Sequence, residues 1–149
     1  MDWRRPKIQV TDEELERLRS AYRALGPGFP AAALGLFEPE AGAGEGEWCV
    51  KMFGRTARCL NAGELASTDL FALPPSWEVM RTEVRGLARR RSVVTVSGFM
   101  YCRPRGTWEK IRVPLLHVWT LSLGKALRFE NLLDGIELSP ARRRTRKAA

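Results

Sequence analysis

The stretch WEKIRVPLLHVWTL, residues 108–121, decides the fold because apolar and polar side chains alternate along it. A period of two is the pattern of a β-strand that buries one of its faces. The odd positions are apolar from residue 111 onward, except for His117, the only histidine of the chain. The even positions include Lys110, Arg112 and Thr120. We therefore expect the odd side chains, His117 among them, to face the interior.

The chain around this stretch repeats the same alternation. Gly124 lies where a tight hairpin turn is needed, because glycine tolerates positive φ. We predict four antiparallel strands with short connections. The predicted strands are residues 77–87, 92–102, 108–121 and 125–134, and the predicted turns are residues 88–91, 103–106 and 122–124.

The N-terminal half has helical periodicity. Thr11 and Glu14 have the spacing of a capping box, in which each side chain satisfies the other's backbone amide at a helix start. Helices before a meander predict an α+β fold with the helices covering one face of the sheet. The predicted elements are a first helix from residue 11 to 25, a second at 30–37, a loop at 40–47, a strand at 48–53 and a third helix at 61–73.

Composition places the chain among single globular domains. Of the 149 residues 44% are hydrophobic and 28% are charged, which argues against disorder. No apolar stretch is long enough to cross a bilayer, and the basic N-terminus lacks an apolar segment behind it, so we predict a cytoplasmic location. Cys49, Cys59 and Cys102 have no paired spacing, so we expect reduced, buried thiols and no metal site.

The net charge of +8 is concentrated near the end of the chain. Five positive charges lie within the last eight residues, after Ser139 and Pro140. We interpret residues 139–149 as a solvated basic tail, and otherwise as a contact for phosphates or acidic partners. Contact with nucleic acid is expected only through this tail.

Two polar side chains are expected on the inner wall of the sheet. A hairpin centred near Leu123 brings His117 and Asn131 close to cross-strand register. An apolar wall with a few convergent polar groups is typical of a ligand pocket, and Trp48, Trp77, Phe99 and Trp119 would supply an aromatic lining. The alternative is that the two polar groups are hydrogen-bonded inside a closed core.

Three segments of the C-terminal half carry a family resemblance: V-P-L-L-H-V-W at 113–119, G-K at 124–125 and R-F-E-N-L-L-D at 128–134. They resemble the closing strands of the SnoaL-like polyketide cyclases, within the nuclear-transport-factor-2-like fold that includes ketosteroid isomerase. The resemblance implies a cone-shaped half-barrel, a curved antiparallel or mixed sheet covered by N-terminal helices. It also implies a homodimer packed through the sheet, small hydrophobic ligands, and no cofactor. On this basis residues 1–10 form an N-terminal extension, 11–138 the domain and 139–149 the tail.

The resemblance also directs attention to catalytic positions. The family's catalytic aspartate corresponds to Asn131, whose amide cannot transfer a proton at neutral pH. His117 could replace it as proton carrier or could be a hydrogen-bonded core residue. Asp134 has a structural or rim role, unless a β-bulge turns it inward. Glu45 and Glu47 fall near the base of ketosteroid isomerase by rough alignment. Because they lie in the glycine-rich loop, we interpret them as solvated charges.

The sequence thus leaves two functional hypotheses. The first is a protein that binds a small hydrophobic molecule, either as a cofactor-independent cyclase, isomerase or hydrolase that uses His117, Asn131 and Asp134, or without turnover. The second is a non-catalytic dimeric interaction module with a basic tail. Tyr22 either points its hydroxyl into the pocket or packs on the helix face. The predicted ligand-binding residues are Tyr22, Trp48, Trp77, Phe99, Trp119 and Phe129.

Overall fold

A computed structural model describes residues 9–23, 48–52, 58–60, 64, 73, 76–133 and 135–140. One helix with defined bounds, α1 (Asp12–Arg23), and seven β-strands lie in these ranges. The strands are β1 (Trp48–Met52), β2 (Arg58–Leu60), β3 (Trp77–Arg90), β4 (Val93–Pro104), β5 (Ile111–Ser122), β6 (Lys125–Asn131) and β7 (Ile136–Pro140).

The seven strands form one sheet in the order β2-β1-β7-β6-β5-β4-β3. Every neighbouring pair is antiparallel. From β3 to β7 the chain runs through successive hairpins, and short connections of this kind produce antiparallel neighbours. β1 then pairs with the far edge of β7, and β2 pairs with β1. The sheet therefore joins the N-terminal strands to the C-terminal one.

The predicted fold class is wrong. The described chain is dominated by a single antiparallel sheet with one helix, and it is not an α+β cone under several N-terminal helices or a mixed sheet. The main difference is that β2 and β7 are strands where none was predicted, which enlarges the sheet. The turn predicted at 88–91 is also shorter than expected: β3 continues to Arg90, and Arg91, with φ of 58°, turns the chain with Ser92.

Several local predictions are confirmed. The first helix begins after Thr11, and the four predicted strands of the meander and the strand near Trp48 are present with shifts of a few residues at their ends. The predicted helix at 30–37 and the loop at 40–47 lie outside the described residues. The predicted helix at 61–73 does too, apart from residues 64 and 73. Ser139 and Pro140, which the prediction placed in the tail of residues 139–149, instead end β7.

The hydrophobic core lies between α1 and one face of the sheet. We call this the inner face, and it carries the odd residues of β5 from Leu115 to Leu121 and the even residues of β4. Leu18 and Tyr22 of α1 are fully buried against it. The opposite face, here the outer face, carries the odd residues of β4 and the even residues of β5, none of which is fully buried. The predicted parity of β5 is therefore confirmed for its second half.

A β-bulge changes the parity of β6. Thr120 pairs with Arg128, but Leu121 pairs with Ala126, so Leu127 is the extra residue. As a result Ala126 is fully buried, whereas Leu127 is only half-buried.

Two cysteines form a cross-strand disulfide. Cys49 of β1 and Cys59 of β2 are directly paired and joined through sulfur, and Cys102 is a buried free thiol. The prediction of reduced, buried thiols is therefore wrong for the first two and right for the third. Their separation of ten residues matches no motif, so only the strand pairing reveals the link.

Glu14 fastens α1 to the sheet. Its Oε1 accepts a hydrogen bond from the Thr11 amide at 2.9 Å, and Thr11 Oγ1 accepts one from the Glu14 amide at 3.1 Å, which completes the capping box. Its Oε2 accepts a 2.7 Å hydrogen bond from the amide of Gly124 in the β5–β6 turn. Leu123 and Gly124 have φ of 52° and 79°, the signs of a type I′ hairpin turn. One carboxylate therefore holds a helix start and a turn together.

We predict that Glu14→Ala lowers the free energy of unfolding by about 2–4 kcal/mol, because the variant loses a helix cap and leaves the Gly124 amide without its charged acceptor. Urea denaturation followed by circular dichroism measures the change. Glu13→Ala is the matched control, since Glu13 lies in the same helical turn with its side chain 84% exposed. Equal losses in the two variants would contradict this role for Glu14.

Candidate functional site

His117 and Asn131 lie directly opposite each other on β5 and β6, as predicted. The same row continues to Val96 on β4 and Ile136 on β7. Both polar side chains face inward and are 1% and 2% exposed. The sequence therefore placed these two groups correctly relative to each other and to the inner face.

Tyr22 reaches this row from the last turn of α1. Its hydroxyl lies 2.7 Å from His117 Nδ1, and the indole Nε1 of Trp119 donates to the same hydroxyl at 3.0 Å. All these groups are satisfied when Tyr22 donates its proton to Nδ1 and the imidazole carries its own proton on Nε2. We call Tyr22, His117 and Trp119 the buried triad.

Burial keeps the triad uncharged. Desolvation lowers the pKa of His117 to about 3. Desolvation also raises the pKa of the Tyr22 hydroxyl, and the hydrogen bond from Trp119 offsets this only in part. A charged imidazole or phenolate is costly in such an environment. His117 is therefore neutral at physiological pH.

Aromatic rings fill the space around the imidazole. The ring of Phe129 meets His117 edge-on at 4.8 Å between centroids and lies 4.8 Å from the Trp119 ring. Tyr22, Trp119 and Phe129 are at most 1% exposed. Every buried side-chain nitrogen and oxygen in the described part of the chain has a hydrogen-bond partner. Of the two alternatives for His117 and Asn131, the geometry fits the closed core.

The remaining predicted residues do not join this cluster. Phe99 lies on the outer face, because the odd residues of β4 point away from α1, so it shares no wall with His117. Trp77 is ten positions along β3 from Leu87, the residue in the His117 row, which is on the order of 30 Å of strand. Trp48 is buried in the core at β1. Asp134 lies outside the described residues.

A cavity of about 270 Å³ opens between the end of α1 and β3. Val84 supplies apolar surface to its wall, Arg19 and Arg23 supply guanidinium groups and Thr82 supplies a hydroxyl, whereas Tyr22 is only 1% exposed. It is lined by Arg19, Tyr22, Arg23, Thr82 and Val84. The sequence contained a signal for it: Arg19, Tyr22 and Arg23 are spaced at i, i+3 and i+4, and so lie on one side of a helix.

Hydrogen bonds and ion pairs shape this cavity. Thr82 Oγ1 donates to the backbone carbonyl of Tyr22 at 2.8 Å and so fixes the end of α1 against β3. Glu16 holds Arg19 at 2.9 Å and lies 3.8 Å from Arg23. These pairs are exposed and therefore exchange readily with another anion. Tyr22 belongs both to the cavity wall and to the buried triad.

Neither a metal-binding cluster in the described residues nor a matching protein indicates what the cavity binds. The described residues contain no group of three or more histidine, cysteine or acidic side chains able to hold a metal ion. Within the same ranges no helix has the length and apolar character needed to cross a bilayer. Comparison with family models, curated proteins and solved structures found no match to this chain.

We predict that Tyr22→Phe lowers the free energy of unfolding by about 2–4 kcal/mol, because His117 and Trp119 each lose a buried hydrogen-bond partner while the ring is kept. Chemical denaturation measures the loss. Tyr101→Phe removes the hydroxyl of a partly exposed tyrosine and should cost less, because its acceptor Glu83 keeps its pairing with Arg85 and its contact with water. A Tyr22→Phe variant as stable as the wild type would disprove the role of this hydroxyl.

The pH dependence of stability follows from the low pKa of His117. Between pH 6.5 and 3 the unfolded chain binds a proton at His117 that the folded chain does not. The contribution of neutral His117 to the free energy of unfolding is complete above pH 6.5. It should fall by about 1.4 kcal/mol per pH unit as the pH drops toward 3. The difference in unfolding free energy between wild type and His117→Gln, measured from pH 7 to 4, isolates this term. A difference that does not change with pH would refute the assignment.

Proposed function

We propose that this protein binds a small organic acid, with an apolar body and one carboxylate, in the cavity between α1 and β3. The observation that carries the proposal is the makeup of the cavity wall. Arg19 and Arg23 stand one helical turn apart at its edge, and the partly exposed Val84 provides apolar surface beside them. Arginine suits this role because its planar fork of N–H donors matches the two oxygens of a carboxylate.

The size of the cavity limits the ligand. Its volume of about 270 Å³ is near the lower end of the roughly 300–1,000 Å³ typical of ligand pockets. The apolar wall is small, so we expect a molecule with a single ring or a short aliphatic chain. This refines the sequence-based hypothesis of a hydrophobic ligand by adding a negative charge to it.

The proposed activity is binding without proton transfer by His117. A proton carrier must exchange its proton near the working pH and reach the reacting atom. A neutral imidazole hydrogen-bonded to Tyr22 within the core does neither. In this proposal the buried triad holds Tyr22, which borders the cavity, in a fixed position.

The first test measures binding of benzoate and hexanoate by isothermal titration calorimetry, with benzamide and hexanamide as uncharged counterparts. We expect the carboxylates to bind at least tenfold more tightly than the amides. Arg23→Gln and Arg19→Gln should each weaken carboxylate binding about tenfold. Arg17→Gln is the matched control, because Arg17 lies on the same helix outside the cavity lining and pairs with Glu13.

Three results would contradict the proposed carboxylate site. Equal affinity for acids and amides, or equal weakening by the Arg17 and Arg23 substitutions, would disprove recognition of a carboxylate. Val84→Phe, which fills the cavity from a partly exposed position, should abolish binding without lowering the melting temperature. Retained binding in a folded Val84→Phe variant would place the ligand elsewhere.

A further inference from the structure

The positive charge of the described chain is concentrated in β3, β4, β5 and their connections. Residues 77–112 hold nine basic side chains and three acidic ones, a net charge of +6 within a chain of +8. Eight of the nine are arginines. These residues therefore carry about as much net positive charge as the tail, +6 against the +5 of residues 139–149.

Strand pairing gathers many of these side chains on the outer face. Arg81 pairs with Tyr101, and Tyr101 pairs with Arg112 on its other side. Arg103 and Glu78 are paired next to them. We define the outer arginine patch as Arg81, Arg85, Arg103, Arg105, Lys110 and Arg112.

Aromatic rings hold three of these guanidinium groups against the sheet. Arg81 lies 4.0 Å over the ring of Tyr101. Arg112 and Arg85 lie 4.3 Å and 5.2 Å from the centroid of Phe99. A guanidinium that stacks by its face keeps its N–H groups at the edge, where they can donate to phosphate oxygens. The stacking therefore orders the cations without using up their hydrogen-bonding capacity.

Acidic residues within the patch do not cancel its charge. Glu83 accepts from the Tyr101 hydroxyl at 2.8 Å and from Arg85 at 2.7 Å. Glu78 binds Arg103 at 2.8 Å and lies 3.7 Å from Arg105. With Glu109 these make three acidic side chains against the six basic ones of the patch, so a net charge of +3 remains.

An exposed tryptophan lies beside the patch. Trp108, in the connection between β4 and β5, is 94% exposed and is close in sequence to Arg105 and Lys110. The connection is anchored where it leaves β4, because the Arg105 amide donates to the Ser76 carbonyl at 2.7 Å and the Thr107 hydroxyl donates to Pro104 at 2.9 Å. An indole exposed to this degree costs hydrophobic free energy and is suited to stacking on a flat ring.

We propose that the outer arginine patch and Trp108 form a binding surface for single-stranded nucleic acid. The patch supplies donors for several phosphates, and the indole supplies a stacking platform for an unpaired base, the combination by which sequence-tolerant proteins hold single strands. Arginine in place of lysine and an exposed aromatic ring beside it distinguish this surface from one that attracts membranes by charge alone.

The experiment measures fluorescence anisotropy of labelled twelve-nucleotide oligo-dT and oligo-U with the full chain. Arg81→Glu with Arg112→Glu should weaken binding at least a hundredfold and reduce the slope of log K against log salt by about 1.4 for the two lost cations. Trp108→Ala should weaken binding roughly tenfold and leave the salt slope unchanged. Arg17→Glu with Lys51→Glu is the charge-matched control, and it should change affinity only a few-fold.

Three outcomes would overturn the proposal. One is unchanged binding in the folded Arg81→Glu/Arg112→Glu variant, with loss when Arg142, Arg143, Arg144 and Arg146 are replaced by serine. Another is equal affinity for vesicles with phosphatidylserine or for polyglutamate, with no effect of Trp108→Ala. The third is a stable homodimer that protects the patch from binding at low salt, measured by light scattering. If the charge-reversed variant does not fold, Arg81→Lys with Arg112→Lys tests the same contacts and should weaken binding severalfold.

Discussion

The hydrogen bonds made by the Tyr22 hydroxyl are the interaction on which the arrangement of helix and sheet depends. This group joins α1 to two neighbouring inward positions of β5, His117 and Trp119, where water is excluded. Buried polar groups must be satisfied, so α1 cannot rotate or slide without leaving an imidazole and an indole unpaired. Glu14 fixes the other end of α1 about two turns away. The cavity lies at the Tyr22 end of this helix, between α1 and β3.

The fold was predictable where the deciding information is local. The capping box at Thr11 and Glu14 and the alternation along β5 depend on neighbours in the sequence, and both gave the right element. The predictions that failed concern strands and links whose partners lie far away in the sequence. A three-residue strand such as β2 has too few side chains to show a period, and β7 exists because β6 and β1 supply partners on both sides. The bulge at Leu127 and the Cys49–Cys59 link likewise depend on register, which composition does not encode.

The site was predictable in part. His117, Trp119 and Phe129 were chosen by strand parity and Tyr22 by helical spacing, and these four come together. Phe99 was chosen for being aromatic, and its position on the outer face shows that residue type without register is a poor guide. Whether rings fill a hollow or line it depends on packing distances that no pattern contains. The resemblance of the closing strands to SnoaL-like cyclases remains a prediction.

The pairing of β1 with β7 joins segments more than eighty positions apart. Contacts so distant in sequence slow folding, because a long loop must close before they form. During synthesis on a ribosome, β1 and β2 would emerge early. The backbone groups on one edge of β1 would lack hydrogen-bond partners until β7 left the exit tunnel. Strand edges of this kind invite pairing with other chains. The topology therefore makes nascent molecules more prone to aggregation than finished ones.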